Sequence, residues 1–463
     1  MVKNTNSVQI LKEPLKVGSS ENWITELNDK ILIAMYIETD RIIYSPSDLT
    51  LYMDSPFASW MEHSVLINPE LLSSVDAQDE LMTLLQKKGA LHEDEVLKSF
   101  VEANLSVIQI PKSPNAAQDT IAAMKSGVDI IYQAALSLLP FKGYADFLVK
   151  VEGKSSLGDF YYEVWDTKLA KTLKPYVVIQ LCCYAEMLEA FQGKRPDYIV
   201  AALGNGNNQR LRTNDYFYYY QNLKSRFLQA HQNFSEHHLP NPADSNSYGR
   251  WTNYAENMLT QADHLCRIAT ITRSQIKKLH KVGVNTMQAI VDSDCDSVKG
   301  INPDVLTRLK AQAKIQKDSV GKDVPLYQIL PHEIDKKTGL SLLPPSSALD
   351  IYFDIEGFPL EDGGLEYLWG VTYFDESRVR QYKDFWAHNK EQEKISFKAF
   401  IEWTYDRWLH DPTMHIYHYA NYEIAACRKL MGRYGTCEYE VDQLLRNEVF
   451  VDLYKVVKGS LLL

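Results

Sequence analysis

Two acidic clusters, each beside a run of β-branched and aromatic residues, most constrain how this chain can fold. The first combines Asp146 with the pair Asp166 and Lys168, and the second is the pair Asp354 and Glu356. Because alternate residues of a strand share a face, each pair projects from one side of its sheet. Carboxylates presented in this way are typical ligands of hard cations such as Mg²⁺ or Mn²⁺. The sequence therefore predicts two sheets, each with a divalent-cation site.

Composition allows several domains but argues against a uniformly basic surface. The chain has 463 residues, 45% hydrophobic and 24% charged, with a formal net charge of -11, which is typical of a multidomain globular protein. The charge is uneven, because the segment from Arg267 to Lys322 holds eleven Lys or Arg against five Asp or Glu. This local excess of positive charge predicts a face that contacts phosphates.

No signal peptide or membrane-spanning segment is expected. Residues 1–20 have no apolar core, and no apolar run approaches the roughly 18 residues that cross a bilayer. The six cysteines include no Cys-x-x-Cys pair, which argues against a zinc site or a disulfide framework. A cytoplasmic protein without membrane contact is the resulting prediction.

Turn-rich segments at 240–249 and 343–347 divide the chain. We predict an N-terminal extension over residues 1–30, an α/β domain over 31–245, a helical region over 250–320 and a second α/β domain over 346–463. Alternation and helical spacing predict the following strands: 31–43 as a pair, 107–110, 129–134, 143–151, 160–166, 198–203, 216–220, 349–355, 367–374 and 414–419. The predicted helices outside the middle region are one opening after Ser45, then 81–100, 120–126, 177–191, 221–234, 397–410 and 423–434.

The first acidic cluster is followed by a helix on which Gln180 and Tyr184 share a face. A cation held by two carboxylates binds a scissile phosphate and acidifies a water, and a nearby lysine orients or deprotonates that water and offsets charge. The ordinary alternative for Asp166 and Lys168 is a solvated surface pair, and Tyr184 is as well suited to packing as to contact with a bound substrate.

The ordered series Gly-Tyr-Ala-Asp146, Asp166-Thr-Lys168 and Gln180-x-x-x-Tyr184 resembles the RecB-type branch of the PD-(D/E)XK nucleases. The resemblance implies a restriction-endonuclease-like fold in which both aspartates bind the metal and the lysine is catalytic. The glutamine and tyrosine would support the site and touch DNA. It also implies an upstream histidine ligand, which His92 matches, although a histidine at such a place is otherwise a surface or capping residue.

Several RecB-type relatives hold an iron–sulfur cluster with one cysteine before the nuclease core and three after it. No cysteine precedes Cys182 in this chain, and the segment Ser47–Trp60 contains none. We therefore expect no iron–sulfur cluster, and we expect other packing to hold that part of the domain together.

The helical middle contains two segments, around Gly283 and Gly300, that resemble helix-hairpin-helix elements. In such elements a glycine hairpin presents backbone N–H groups to a phosphate, with lysines nearby. The alternative is an ordinary helical connection between domains.

The pair Asp354 and Glu356 resembles the first motif of DEDD-type, ribonuclease H-like 3′–5′ exonucleases, and Tyr419-Ala-Asn-Tyr-Glu423 resembles the second. The resemblance implies that these three carboxylates bind metal, with Glu423 in place of the usual aspartate. The last motif, a helix ending in aspartate, is not matched, because Asp452 lies too early. The domain over 346–463 is thus expected to be incomplete, a weak metal binder retained for binding or packing, with its apolar end 461–463 uncovered.

The sequence as a whole predicts an enzyme, a Mg²⁺- or Mn²⁺-dependent deoxyribonuclease, possessing RecB-type and ribonuclease H-like modules and acting in DNA repair or processing. Its expected partners are single-stranded DNA or duplex ends. A helicase partner, or a missing C-terminal helicase region, is plausible because related modules often precede a helicase. The alternative is a non-catalytic nucleic-acid-binding or assembly module of a longer nuclease–helicase.

Overall fold

The computed structural model describes residues 35–77, 80–331, 337–361 and 363–463. Two compact units divide the chain between His264 and Leu265. The predicted N-terminal extension, residues 1–30, lies outside the described residues. Among the helices of the described ranges, none is long and apolar enough to cross a membrane.

The first unit is built on a short hairpin and a six-stranded sheet. The hairpin strands are β1 (Tyr36–Glu38) and β2 (Arg41–Ile43), and the sheet contains β3 (Val107–Gln109), β4 (Ile130–Leu138), β5 (Phe141–Ser155), β6 (Gly158–Lys168), β7 (Tyr198–Leu203) and β8 (Asn208–Arg212). The strand order follows the sequence from β3 to β8. Strands β3 and β4 pair in parallel, as do β6 and β7, whereas the other neighbours are antiparallel.

Helices cover both faces of this sheet. They are α1 (Pro46–Asp54), α2 (Pro56–Ile67), α3 (Glu80–Glu102), α4 (Ala116–Ser126), α5 (Pro175–Gln192), α6 (Thr213–Gln232) and α7 (Thr252–Gln261). Helix α5, buried on more than one side as its continuous apolar sequence predicts, packs with α4 and α6 in the main core. On the other face, Leu97 of α3 packs against Ile130 and Phe147. The predicted start of α1 is confirmed, because Ser45 and Asp48 form a reciprocal capping box.

One predicted strand is wrong. The run Tyr216–Tyr220 has high β-propensity, yet it lies within α6. The buried residues of α6, among them Thr213, Phe217 and Tyr220, recur at helical spacing. Burial of that face therefore decides the conformation of the run. The strand belongs earlier, at β8, where exposed and half-buried residues alternate.

Residues after the predicted break at 245–250 still pack in the first unit. Trp251 and Ala255 form a buried cluster with Phe57 and Met61 of α2. Glu62, also buried, accepts hydrogen bonds from the Trp251 indole at 2.9 Å and from Arg250 through two nitrogens at 2.8 and 2.6 Å. This packing joins α2 to the segment that follows the predicted break.

The second unit begins with helices and continues into a five-stranded sheet. The first helices are α8 (Arg273–His280), α9 (Met287–Asp292) and α10 (Pro303–Ser319), followed by the short strand β9 (Gln328–Ile329). The sheet strands are β10 (Ile351–Phe358), β11 (Leu365–Phe374), β12 (Arg380–Trp386), β13 (Ile416–His418) and β14 (Phe450–Asp452). The remaining elements are α11 (Lys390–His410), α12 (Tyr422–Tyr434), α13 (Glu438–Arg446), α14 (Leu453–Ser460) and β15 (Leu461–Leu462).

The five strands lie in the order β12-β11-β10-β13-β14. The pairs on the β12 side of β10 are antiparallel, and those on the β13 side are parallel. Phe353 of β10 packs on Trp369 and Phe400 in a core that α11, α12 and α13 complete. The residues that alternate with this core, among them Asp354 and Glu356, are exposed on the other face of β10.

The expectation of an uncovered apolar end is wrong. Strand β15 pairs with β9, and the Leu462 side chain is 1% exposed. Gln312 of α10 donates a hydrogen bond to the Leu463 carbonyl at 2.5 Å. These contacts are made by residues more than a hundred positions away, which local sequence patterns do not report.

Candidate functional site

The first acidic cluster assembles where β5 and β6 run side by side. Asp146 adjoins Phe147, which pairs with Trp165, so Asp146 and Asp166 lie on neighbouring strands at the same level. The Asp146 carboxylate accepts hydrogen bonds from the Thr167 backbone and hydroxyl, both at 2.7 Å. These two bonds fix the orientation of Asp146 toward the adjacent strand.

Asp166 is a buried acid with charged and polar neighbours. Its side chain is 2% exposed, it pairs with Lys168, and Gln180 reaches its Oδ1 at 3.4 Å. Burial raises the pKa of Asp166 from 3.8 to about 7; the charge of Lys168 opposes this rise, and those of Asp146 and Glu93 add to it. A buried carboxylate of this kind gains strongly from a cation or another positive charge.

Lys168 remains a cation. Burial alone would lower its pKa, but the negative charges of Asp166 and Asp146 outweigh that effect and the pKa of the ammonium is raised. This side chain is suited to neutralising negative charge beside Asp166 and poorly suited to accepting a proton.

Gln180 and Tyr184 lie on the face of α5 that meets the sheet. The Tyr184 hydroxyl donates to the Tyr144 carbonyl at 2.7 Å, and the side chain is 4% exposed. A Cβ on Gly143 would lie 3.0 Å from that hydroxyl, so strand and helix approach closely here. In this structure Tyr184 packs and fixes β5, while Gln180 reaches the cluster itself.

His92 and its neighbour Glu93 lie on α3, which packs against the sheet. His92 Nε2 lies 3.1 Å from the Ala202 carbonyl, and its Nδ1 lies 3.8 Å from Glu95. Glu93, 7% exposed, is close enough to Asp166 to raise its pKa. Glu93 was not among the residues predicted from the sequence, and only the tertiary packing of α3 brings it to the cluster.

Gln133 is a second residue that sequence reasoning missed. The β4–β5 ladder is interrupted between the pairs Tyr132–Phe147 and Ala134–Ala145, and Gln133 there has a φ of 55°. Its amide donates to Glu93. A left-handed non-glycine residue beside catalytic candidates is typical of strain stored at a functional site.

A cleft of about 640 Å³ adjoins this cluster. Gln133, Gln180 and Tyr184 line it, together with two lysines and three carboxylates, which are Lys112, Lys142, Asp48, Asp54 and Glu62. Tyr176, 37% exposed, lines the same cleft. The cleft thus carries charges of both signs and reaches Gln180, the side chain that contacts Asp166.

Within the described ranges, no three His, Cys, Asp or Glu side chains are grouped so that they could hold a metal ion. Mg²⁺ is usually held in proteins by one or two carboxylates, with waters and substrate oxygens completing the shell. Asp146 and Asp166 supply such a pair, and the buried carboxylate of Asp166 is favoured by an added positive charge. The residues of this cluster therefore fit a divalent cation.

The buried acid predicts a pH-dependent difference in stability between the parent protein and Asp166→Asn. A carboxyl whose folded pKa is raised contributes stability below its unfolded pKa and loses it as pH rises through about 7. Without metal, the stability of the variant relative to the parent should therefore increase by about 1 kcal/mol between pH 6 and 8. Urea unfolding in EDTA at several pH values measures this difference, and parallel profiles would contradict it.

Comparing the two proteins removes the contribution of two buried histidines. Burial lowers the pKa of His63 to about 4 and that of His231 to about 3, so both stabilise the fold more as pH rises through the unfolded value of 6.5. That opposite trend is common to parent and variant, and it cancels in the difference.

The second acidic cluster is arranged differently. Asp354 and Glu356 lie on the exposed face of β10, where Asp354 accepts a hydrogen bond from the Ile355 N–H at 3.0 Å. Glu423, at the start of α12, is 2% exposed and lies 3.3 Å from buried His418. In the described part of the chain these three carboxylates do not form a three-ligand group. Their present arrangement does not fit a metal held by all three.

Glu366 is an acidic residue near this second cluster that the sequence did not indicate. It pairs with Gly357 across the ladder at a β-bulge, is 3% exposed and accepts a hydrogen bond from Tyr422 at 2.6 Å. Lys429 contacts its other oxygen at 3.0 Å. Glu366 thereby anchors the start of α12, on which Glu423 lies.

Asp452 caps α14. Its carboxylate accepts hydrogen bonds from the Ala420 and Tyr454 N–H groups, both at 3.0 Å, and lies 3.6 Å from Lys455. These bonds give Asp452 a structural role where β13 and β14 end.

Comparisons with known proteins identify the second sheet. The model of the RNase_H superfamily matches residues 351–462, which span β10 to β15. No curated protein and no solved structure matches the chain. Members of this superfamily are usually metal-dependent nucleases, so the match indicates a nuclease-type function in nucleic-acid processing. Residues 351–462 form a ribonuclease H-like domain within a mixed α/β chain.

Proposed function

We propose that the first unit is a RecB-type PD-(D/E)XK nuclease that hydrolyses phosphodiester bonds in DNA with a divalent cation. One observation carries this proposal: Asp166, Lys168 and Gln180 converge in a buried cluster, with Asp146 beside them on the next strand. In a solvated surface pair, the acidic residue would not be only 2% exposed, as Asp166 is, and its pKa would not be strongly shifted. A restriction-endonuclease-like fold, with helices on both faces of a mixed sheet, accommodates this cluster.

The residues have separate roles in this proposal. Asp146 and Asp166 would hold Mg²⁺ or Mn²⁺, which supplies Lewis-acid polarisation of the scissile phosphate and a more acidic water. Lys168, kept cationic by its two carboxylate neighbours, offsets the charge that develops on the phosphate oxygens. Gln180 orients Asp166 from α5.

His92 is proposed as a further ligand because of the resemblance, and Glu93 because of its position. The contact of His92 Nε2 with the Ala202 carbonyl directs one ring nitrogen to the backbone. Glu93 is close enough to Asp166 for its negative charge to raise the pKa of that acid. Substituting each in turn separates the two: the ligand is the residue whose replacement raises the Mn²⁺ concentration needed for half-maximal cleavage.

The substrate would enter through the cleft beside the cluster. Lys112 and Lys142 are the lining side chains that would contact phosphates, and Tyr176 offers an exposed ring for a base. The test is Mg²⁺- or Mn²⁺-dependent cleavage of DNA labelled at either the 5′ or the 3′ end, single-stranded and duplex. Product patterns give polarity and mode, and the lack of cleavage on every substrate would overturn the proposal.

For the ribonuclease H-like domain we propose a DEDD-type origin with little exonuclease activity of its own. Asp354 and Glu356 are exposed on β10, but Glu423 is directed at His418. Two-metal chemistry requires carboxylates that hold both ions. The domain would then contribute mainly binding or packing.

This proposal predicts a small effect when the second cluster is removed. In an Asp166→Asn background, adding Asp354→Ala and Glu356→Ala should leave the residual 3′–5′ activity on single-stranded DNA unchanged within about twofold. Product release from 3′-labelled strands measures it. A clear activity that disappears in the triple variant would show that the second cluster is catalytic.

The helical middle is proposed to assist DNA binding. Gly283 and Gly300 adopt φ of 82° and 85°, and Lys278 donates to the Gly300 carbonyl at 2.7 Å.

We further propose a cytoplasmic role in DNA repair or processing, with a helicase as partner. The alternative, a non-catalytic nucleic-acid-binding or assembly module, predicts binding without cleavage.

A further inference from the structure

A second cleft in the first unit, of about 510 Å³, has a lining that the proposed chemistry does not use. Helices α1 and α2 form one side, and the end of α6 with the segment after it forms the other. The residues relevant here are Tyr52, Trp60, Arg226, Gln229, Asn233 and Phe234. The lining contains no Asp or Glu, in a protein whose net charge is -11.

Four aromatic rings, of Trp60, His63, His231 and Phe234, contact one another at the wall of this cleft. His63 stacks on Phe234, with ring centroids 3.9 Å apart and an interplanar angle of 11°, and its Nδ1 lies 2.7 Å from Nδ1 of His231 in a hydrogen bond. Trp60 continues the stack on Phe234 at 5.3 Å, and its indole donates to the Ser235 carbonyl at 3.2 Å. Trp60 is therefore a half-buried ring held in one orientation at the edge of the cleft.

One face of α6 continues from the cleft as an exposed stripe. Its side chains recur three or four residues apart and are Tyr219, Asn222, Arg226, Gln229 and Asn233. Tyr219 is 63% exposed. Arg226 has no ion pair with any residue in the part of the chain that the structure describes. Aromatic, amide and free guanidinium groups thus alternate along a single helix face.

We propose that this stripe and cleft bind single-stranded nucleic acid. Unstacked bases present π-faces to fixed aromatic rings, backbone phosphates pair with a free guanidinium, and amides accept and donate to base edges. A lining without carboxylates favours a polyanion, and this favours a nucleic-acid strand over a basic protein segment. The inference rests on the proposed nuclease function and adds a single-strand subsite to the same unit.

The test is equilibrium binding of fluorescein-labelled (dT)₂₀ and (rU)₂₀ to the full chain in EDTA, by fluorescence anisotropy over a range of salt concentrations. Arg226→Ala should weaken binding of a strand roughly fivefold at low salt, because one phosphate contact is lost. The slope of log Kd against log salt should become shallower by about 0.7, the value for one phosphate of a single strand. Arg226→Lys should restore most of the slope, and the two oligonucleotides distinguish DNA from RNA.

The matched control is Lys98→Ala, which removes an exposed cation from α3. It should change neither affinity nor slope. If Arg226→Ala and Lys98→Ala have the same affinity and the same salt slope, the inference is wrong and the stripe would bind a protein partner. A parent chain that binds neither oligonucleotide also overturns the inference. Cleavage by the parent, measured separately with Mn²⁺, tells the two proposals apart: cleavage without an Arg226 effect refutes only the subsite, and an Arg226 effect without cleavage refutes only the nuclease.

Discussion

Asp166→Asn should abolish metal-dependent cleavage while the protein stays folded. The substitution keeps the size of the side chain and its contact with Gln180, but it removes the charge that would hold a cation at this position. We expect a loss of at least about a hundredfold in cleavage rate, which corresponds to about 2.7 kcal/mol of transition-state stabilisation. Release of nucleotides from labelled single-stranded DNA in Mg²⁺ or Mn²⁺ measures it.

The matched control is Asp159→Asn, since Asp159 is an exposed carboxylate on the same strand. It should cleave at the parent rate. If Asp166→Asn also cleaves at the parent rate in a purified preparation with an unchanged unfolding transition, the cluster on β5 and β6 is not the active site. Lys168→Met extends the test, because loss of its charge should slow cleavage without removing a carboxylate ligand.

Trp251→Ala should lower the free energy of unfolding of the first unit by about 3–5 kcal/mol. The indole is fully buried among Phe57, Met61 and Ala255, and its N–H bonds to Glu62. Truncation leaves a large cavity and removes one partner of a buried carboxylate. Urea unfolding, combined with hydrogen exchange of peptides covering Phe57 and Met61, measures the loss and assigns it to this unit.

Trp251→Phe serves as the comparison, because it retains most of the ring and loses only the N–H. Glu62 keeps both hydrogen bonds from Arg250, so the cost should be about 1–2 kcal/mol. Similar losses for both variants would mean that the hydrogen bond, and not the packing, joins α2 to the segment after 245. A loss below about 1 kcal/mol for Trp251→Ala would contradict the role given to this cluster.

Local sequence patterns were sufficient for the elements that carry the first cluster. Continuous apolar and alternating runs predicted the strands at 143–151 and 160–166, and the structure extends both, as β5 and β6. Strand β7 occupies the predicted residues 198–203, and the buried helix after Lys168 is α5. These predictions are confirmed because strand alternation and helical spacing are set by neighbouring residues. The continuous apolar run of α5 predicted a buried helix, and both faces of α5 are buried.

Patterns failed where a distant part of the chain chose the conformation or the neighbour. The tyrosine run of α6 favours a strand by propensity, yet packing of Phe217, Tyr220 and Phe227 makes it helical. Edge strand β12 was not predicted at all, because its exposed and half-buried residues carry little apolar signal. Its pairing with β11 supplies the stabilisation.

The sequence by itself determined which carboxylates, lysine and amide could form a cation site, since their types and spacing on strands and one helix are local properties. Only the tertiary structure decided their surroundings. Folding brings Glu93 close to Asp166 and Gln133 into a hydrogen bond with Glu93, and burial raises the pKa of Asp166 to about 7. It likewise directs Glu423 to His418 and covers Leu462 with β9. Burial and long-range contact depend on which distant segments pack together, and no local spacing encodes that choice.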